Sequence, residues 1–134
     1  MIHHATLEVA HVNVPNEFRF WGALGYKRIG NPDMHSVIHW MEARDGSQVH
    51  LFPKLQSRIA ISEFGHIAIR PYDLLNVLDN LVELPFPVVQ DEGSRYWGAR
   101  RVFVFSPTGH RVELMEYAPG EREGLVPETQ GEEA

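Results

Sequence analysis

The sequence contains no cysteine, and this absence limits the chemistry available to the protein. Without thiols there is no disulfide framework, no thiolate nucleophile and no zinc-thiolate site, so a metal site would have to use histidine and carboxylate ligands. Long apolar runs are also missing, since no stretch approaches the roughly 18 residues of a membrane span. The first residues, Met-Ile-His-His-Ala-Thr, have no charged-then-apolar leader. These absences predict a protein without membrane segments, located in the cytoplasm.

Positive charge is scarce as well. The 134 residues carry 12 Lys and Arg against 18 Asp and Glu, a net charge of −6. Residues 118–134 hold five Glu and one Arg, so −4 of this charge lies at the end of the chain and −2 remains for the rest. This balance offers no electrostatic surface for nucleic acid. From residue 118 onward Gly, Pro, Glu and polar residues dominate, which predicts a disordered acidic tail.

Four segments alternate between apolar side chains and a side chain able to bind metal. In 65–70, His66 and Arg70 share one face of a predicted strand, and two isoleucines occupy the other. The other three segments show the same pattern. Each places a possible metal ligand on the polar face of a predicted strand together with a second side chain: His4 with Glu8, His50 with Phe52, and Glu113 with Met115. Four predicted strands therefore each offer one metal ligand.

The spacing of these segments indicates an internal repeat. The first two candidate ligands are 46 residues apart and the last two are 47 apart. Each interval contains a helical pattern, Gly or Pro punctuation and further strands. The chain is therefore predicted to be an α+β domain over residues 1–117, built of two βαβββ modules at about 1–54 and 62–117 with a linker at 55–61.

Local signals predict where the elements begin and end. Asn13 is the expected capping residue of a first helix near 15–24, and a second helix runs from Asp73 to about 82 or 83. The predicted strands are 4–9, 26–29, 36–43, 48–52, 65–70, 88–90, 101–105 and 111–117, with 58–61 considered as a short edge strand. The loop 91–99 carries an aromatic pair, Tyr96 and Trp97, and is a candidate for closing over a pocket.

Three imidazoles and a carboxylate suit a borderline divalent ion such as Zn, Ni, Co, Fe or Mn. Such a set leaves two positions of an octahedron for water or substrate oxygens. A substrate with two adjacent oxygens would chelate the ion, and Lewis acidity would stabilise the resulting oxyanion. For any one strand taken alone, a solvated or otherwise satisfied histidine is the competing interpretation.

Five segments, in order along the chain, also resemble a known family. They are His-Ala-Thr-Leu-Glu-Val at 4–9, Phe-Trp-Gly-Ala-Leu-Gly-Tyr at 20–26, Val-His-Leu-Phe at 49–52, Gly-His-Ile-Ala-Ile at 65–69 and Ser-Pro-Thr-Gly-His-Arg-Val-Glu-Leu-Met-Glu at 106–116. Together they resemble the vicinal oxygen chelate superfamily, which includes glyoxalase I, extradiol dioxygenases, methylmalonyl-CoA epimerase, fosfomycin-resistance proteins and bleomycin-binding proteins. The resemblance covers roughly residues 2–117.

The resemblance implies a metal-dependent enzyme acting on a small oxygenated substrate, by isomerase, lyase or ring-cleaving dioxygenase chemistry. The alternative it implies is a metal-free small-molecule binding protein of the bleomycin-resistance type. It also implies a homodimer. Whether each site is formed by two chains or by one is left open.

The family's ligand sets fit this chain with one departure. Two His and one Glu, as in extradiol dioxygenases and fosfomycin-resistance proteins, match His4, His66 and Glu113. His50 is an added fourth ligand, at a position where glyoxalase I typically has Glu. Glu8 stands where similar bacterial glyoxalases carry an Arg for the glutathione carboxylate, which argues against glutathione dependence.

Other side chains are assigned to the predicted cavity. Glu8 is a candidate general base beside Glu113, and its alternative role is an ion pair with Arg70 on a neighbouring strand. Substrate contacts are predicted for Arg70, Phe52, Trp97, Arg101 and Met115, with core packing or solvated strand ends as the competing interpretations. His39 is a candidate cavity residue. The remaining histidines are predicted at the surface or in turns: His3, His11, His35 and His110.

Overall fold

The computed structural model describes residues 1–121, and these form the two βαβββ modules that the repeat predicts. The first module comprises β1 (His4–Ala10), α1 (Val14–Ala23), β2 (Lys27–Ile29), β3 (His39–Glu42) and β4 (Gln48–Lys54), with a short 3-10 turn at His11–Asn13. The second comprises β5 (His66–Ile69), α2 (Leu74–Val82), β6 (Gln90–Glu92), β7 (Arg101–Phe105) and β8 (Arg111–Met115). Over residues 1–121 no helix has the length and apolar character that crossing a membrane requires.

Each module forms its own four-stranded mixed sheet. The strand orders are β1-β4-β3-β2 and β5-β8-β7-β6, and the first and last strand of each module pair in parallel. In the first sheet Thr6 lies opposite His50, and in the second Ala68 lies opposite Glu113. Because side chains alternate along a strand, this register puts the two candidate ligands of each module on the same face of their sheet.

The opposite faces of the two sheets share one apolar core. Both helices contribute to it, with Phe20 and Trp21 from α1 and Leu78 and Leu81 from α2 among its buried side chains. The sheets add Val9, Met41, Val49 and Leu51 from the first module and Val102, Val104, Val112 and Leu114 from the second. Since the apolar faces turn towards this common core, the two ligand-bearing faces point away from it.

A buried carboxylate joins the two modules. Glu17, on α1, is completely buried. Its Oε1 accepts a hydrogen bond from Trp21 Nε1 (3.1 Å), and its Oε2 accepts one from the backbone N–H of Thr108 (2.9 Å) in the turn before β8. Nearby, His110 Nε2 donates to the backbone oxygen of Glu8 (2.6 Å). Such contacts hold the modules in one arrangement, because a buried carboxylate is costly without partners.

The two helix starts differ. Asp73 caps α2 as predicted, its side chain accepting from the N–H of Asn76 at 3.2 Å. Asn13 occupies the N-cap position of α1 but makes no side-chain capping bond. Its amide instead lies 3.4 Å from the backbone oxygen of Pro107. One reason is that Pro15, in the first turn, has no N–H for Asn13 to accept from.

Three strand predictions need correction. The strand predicted at 36–43 is confined to His39–Glu42, because side-chain bonds take up the preceding backbone: Asn31 Nδ2 donates to the oxygen of Ile38, and the N–H of Ile38 donates to Ser36. The strand predicted at 88–90 is instead Gln90–Glu92, beyond the two prolines that precede it. Among the described residues no strand forms at 58–61.

The predicted acidic tail lies largely outside the described residues, from residue 122 onward. Within residues 118–121, Ala118 is buried and Glu121 forms an ion pair with Arg70. The first residues after β8 therefore pack against the second module.

Candidate functional site

The first half of the site is a stack of three rings on the outer face of the first sheet. The rings of His4 and His50 are parallel, with centroids 4.0 Å apart. Trp40, opposite His50 on β3, stacks on the other side of His50 at 4.3 Å. His4 is exposed, whereas His50 is buried. The stack fixes the plane of His50 and leaves His4 open to solvent.

A chain of polar side chains orients His50. Glu42 Oε1 accepts from Gln48 Nε2 (3.3 Å), and Gln48 Oε1 lies 2.8 Å from His50 Nε2. Because Gln48 donates through Nε2 and accepts through Oε1, His50 Nε2 is the donor to Gln48. The lone pair of the neutral ring is then on Nδ1. Burial, followed by the charges of His4 and His3, lowers the pKa of His50. Its ring is therefore neutral near pH 7, the form that binds metal ions.

The second half of the site is a His-Glu pair on β5 and β8. His66 Nε2 lies 3.1 Å from Glu113 Oε1. The other ring nitrogen, Nδ1, donates to the backbone oxygen of Phe64 at 2.9 Å. A backbone carbonyl on Nδ1 is the usual outer contact of a metal-binding histidine, because it fixes the ring with Nε2 directed at the site. Glu113 is buried.

Arg101 closes the other side of the carboxylate. Its Nη1 donates to Glu113 Oε2 at 2.9 Å, and its Nε donates to the backbone oxygen of Ser94. The guanidinium also lies 3.9 Å above the ring of Tyr96. Arg101, predicted to bind substrate, is thus in the site but is already bound to Glu113.

The structure brings the four candidate ligands together as two pairs. Within residues 1–121 no group of three or more His, Asp or Glu side chains is placed to hold one metal ion. Each pair lies on the face of its sheet opposite the shared core. One described chain therefore presents two half-sites.

Other predicted residues lie on these faces but farther from the ligands. Phe52 lies opposite Glu8 at the far end of β1, and Glu8 is four residues, or about 13 Å at roughly 3.3 Å per residue, from His4. Met115 lies opposite Arg101, next to Glu113 on the same face.

The predicted pairing of Glu8 with Arg70 is wrong. Glu8 lies 3.5 Å from Lys54, whereas Arg70 pairs with Glu121. Glu8 lies on β1 of the first sheet and Arg70 follows β5 of the second, so the two residues do not lie on neighbouring strands.

His39 does not line the ligand face. Its ring meets Phe18 of α1 edge-on at 5.0 Å, on the helix side of the first sheet. Burial lowers the pKa of His39, and the nearby charges of Arg28 and His11 add to this effect. The strand alternation explains its position, since Trp40 occupies the ligand face.

Trp97 lies in the loop between β6 and β7 in a strained conformation. Its φ of +50° is in the left-handed region, which a residue with a Cβ seldom adopts. Its Nε1 is buried, and no hydrogen-bond partner for it lies within the described residues. Arg95 Nη1 donates to the oxygen of Gly98, and Tyr96 and Ala99 exchange backbone bonds. Hydrogen bonds to backbone atoms therefore order the loop, and the indole N–H of Trp97 takes no part in them.

Three residues of the two faces were absent from the predictions: Trp40, Phe103 and Arg111. Phe103 lies opposite Glu113, and its ring is 5.8 Å from that of His66. Arg111 lies opposite His66 and stacks on Phe103. Arg111 could have been assigned to the ligand face from the same strand alternation that assigned Glu113, two residues later.

Residues 2–114 match the Glyoxalase/Bleomycin resistance protein/Dioxygenase superfamily, and the chain belongs to this superfamily. No protein of curated function matches the sequence.

Solved structures with the same fold agree with this assignment. The fosfomycin resistance protein FosX from Mesorhizobium loti is 15% identical, with a TM-score of 0.65 over 92% of this chain and 96% of that one. A superfamily member from Sphaerobacter thermophilus is 18% identical, with a TM-score of 0.62 over 87% and 96%. Another from Alicyclobacillus acidocaldarius is 19% identical, with a TM-score of 0.60 over 87% and 91%. At such identities the likeness shows the fold alone.

Proposed function

We propose that this chain is a metal-dependent enzyme of the glyoxalase or dioxygenase type that acts on a small substrate with two adjacent oxygens. The observation that carries the proposal is the arrangement of His66 and Glu113. The backbone carbonyl of Phe64 orients His66, so that Nε2 is directed at the Glu113 carboxylate, 3.1 Å away. His4 and His50, whose rings stack 4.0 Å apart on the first sheet, would supply the other two ligands.

The donor chemistry fits a divalent ion. Three imidazole nitrogens and one carboxylate suit Zn, Ni, Co, Fe or Mn, and His4, His50, His66 and Glu113 are the residues that would hold it. When bound, such an ion supplies Lewis acidity towards two adjacent substrate oxygens.

Side chains near the candidate ligands would transfer a proton and provide apolar walls for the site. Arg101 holds Oε2 of Glu113, so proton exchange would use Oε1, the oxygen that lies 3.1 Å from His66 Nε2. Glu113 is therefore a better-placed base than Glu8, whose carboxylate lies with Lys54 at the far end of β1. Trp40 and Phe103 provide apolar walls beside the ligands.

We also propose that the complete site forms between two chains of a homodimer. Its support is that, within residues 1–121, the four candidate ligands form two pairs and no group of three or more. In the dimer, His4 and His50 of one chain would face His66 and Glu113 of the partner. A cytoplasmic location and a small-molecule substrate are part of the same proposal.

A metal-free binding protein of the bleomycin-resistance type is the second candidate. The observation favouring it is that both oxygens of Glu113 already have partners in His66 and Arg101. In that case the carboxylate serves to arrange a binding face. A tight ligand complex unaffected by a chelator would support this alternative.

Metal binding by the full chain, purified without chelator, tests the leading proposal. His66→Ala removes one ligand, so we expect its affinity for Zn or Mn to fall by more than the roughly 10–100-fold typical of losing an outer contact. His35→Ala is the matched control, because His35 is exposed and away from both half-sites. Calorimetric titration gives the affinities. Equal metal binding by wild type and His66→Ala, or no metal binding by wild type, would contradict the proposal.

A further inference from the structure

Two arginines lie on the ligand face of the second sheet and a third directly follows β5, and two of the three are neutralised. Arg101 is paired with Glu113 at 2.9 Å, and Arg70 is paired with Glu121. Arg111 has no carboxylate partner among residues 1–121. This unpaired cation lies directly opposite His66 in the β5–β8 register.

The side chain of Arg111 is held in place without using its hydrogen-bond donors. Its guanidinium carbon lies over the ring of Phe103, 4.0 Å from the centroid, a cation-π contact that holds the group beside the ring. The same Phe103 ring touches His66 edge-on. Across residues 1–121 no hydrogen bond from the guanidinium is observed, so its N–H groups remain available.

We propose that Arg111 binds a carboxylate that the substrate carries in addition to its two adjacent oxygens. A planar guanidinium stacked on a ring presents two parallel N–H groups, the geometry that matches a carboxylate. One unpaired guanidinium balances a single negative charge, which favours a monocarboxylate over a phosphate dianion. This inference rests on the proposed function, because it places the carboxylate beside the ligand pair that would hold the two oxygens.

Two related compounds provide the test. Catechol has two adjacent oxygens and no charge, and 3,4-dihydroxybenzoate adds a carboxylate to the same ring. We expect the wild-type protein loaded with Mn to bind the benzoate about ten-fold more tightly, the ratio that corresponds to about 1.4 kcal/mol. Isothermal titration calorimetry of the full chain measures both affinities.

The Arg111→Gln variant should lose this preference while still binding Mn as the wild type does. Arg28→Gln is the matched control, since Arg28 also stacks on a ring at 4.0 Å, that of Phe18, but on the helix side of the first sheet. It should retain the preference. Arg111→Lys, which keeps the charge and loses the planar fork, should retain part of it. Near-UV circular dichroism verifies that the variants are folded.

Repeating the titrations with a chelator separates the two proposals. If the preference for the carboxylate depends on Arg111 while binding is indifferent to metal, the inference stands and the metal-dependent function fails. If catechol binding requires metal but the preference survives in Arg111→Gln, the function stands and this inference is overturned. No preference in the wild type, or no binding of either compound, also overturns it.

Discussion

The position of His39 shows how one residue's neighbours set its chemistry. Its ring packs against Phe18, and its pKa is lowered from 6.5 by burial, Arg28 and His11. Folding therefore favours the neutral form. Because the unfolded chain binds a proton more readily between the lowered pKa and 6.5, stability falls as the pH drops through this range and levels off below it.

Replacing His39 should remove this pH dependence. We expect the free energy of unfolding of the wild type to decrease more than that of His39→Asn when the pH is lowered from about 7.5 to about 5. Urea unfolding at several pH values gives the comparison, and the contribution of His50 cancels because both proteins contain it. His35→Asn should follow the wild type. A constant difference between wild type and His39→Asn across the range would contradict the prediction.

At the scale of elements, the two modules repeat one plan with different local devices. Both place a helix between the first and second strand, and both pair the first and last strand in parallel. The second helix begins with a side-chain cap at Asp73, whereas Asn13 before the first helix contacts the other module instead. The start of α2 thus depends on a local bond, and the start of α1 depends on tertiary contacts.

Removing the cap should therefore destabilise the protein. Asp73→Ala leaves the N–H of Asn76 without its acceptor, and we expect a loss of about 1 kcal/mol in the free energy of unfolding. Asp79→Ala is the control, because it removes the same charge from an exposed position in the same helix and should change stability by less than about 0.5 kcal/mol. Chemical denaturation measures both. Equal losses in the two variants would mean that charge, and not capping, is responsible.

At the scale of the whole molecule, the shared core decides where the ligands meet. The apolar faces of both sheets and both helices form one cluster, and within residues 1–121 the two ligand pairs do not combine into a group of three or more. The bond from Thr108 to Glu17, which joins residues 91 positions apart, helps to hold this arrangement. The proposed shared site would therefore require a second chain to supply the other pair of ligands.

Mixing two defective chains tests this requirement. In a homodimer of the His4→Ala protein, or of the Glu113→Ala protein, every shared site would lack one ligand. In a shared-site heterodimer, one site combines the intact first module of one chain with the intact second module of the other. We expect metal binding to return at one site per heterodimer after the two proteins are unfolded and refolded together. A monomeric wild type that holds its metal, or mixtures that never recover binding, would rule out the shared site.

Much of the fold and of the candidate site can be predicted from residues that are close together in the sequence. Strand alternation assigns His4, His50, His66 and Glu113 to polar faces, and the sheet register confirms that each module carries its two on one face. The repeat spacing predicts the two modules, and Asp73 predicts the start of α2. These features follow from periodicity and capping, which involve residues close together in the chain.

Other features depend on packing between distant segments. The pairing of Glu8 with Lys54, of Arg70 with Glu121 and of Arg101 with Glu113 all follow from which strands and turns become neighbours. The separation of the two half-sites likewise arises when both helices bury their apolar faces in a common core. Alternation assigns a side chain to a face of its strand, but where that face points is set by burial of apolar surface from both modules at once.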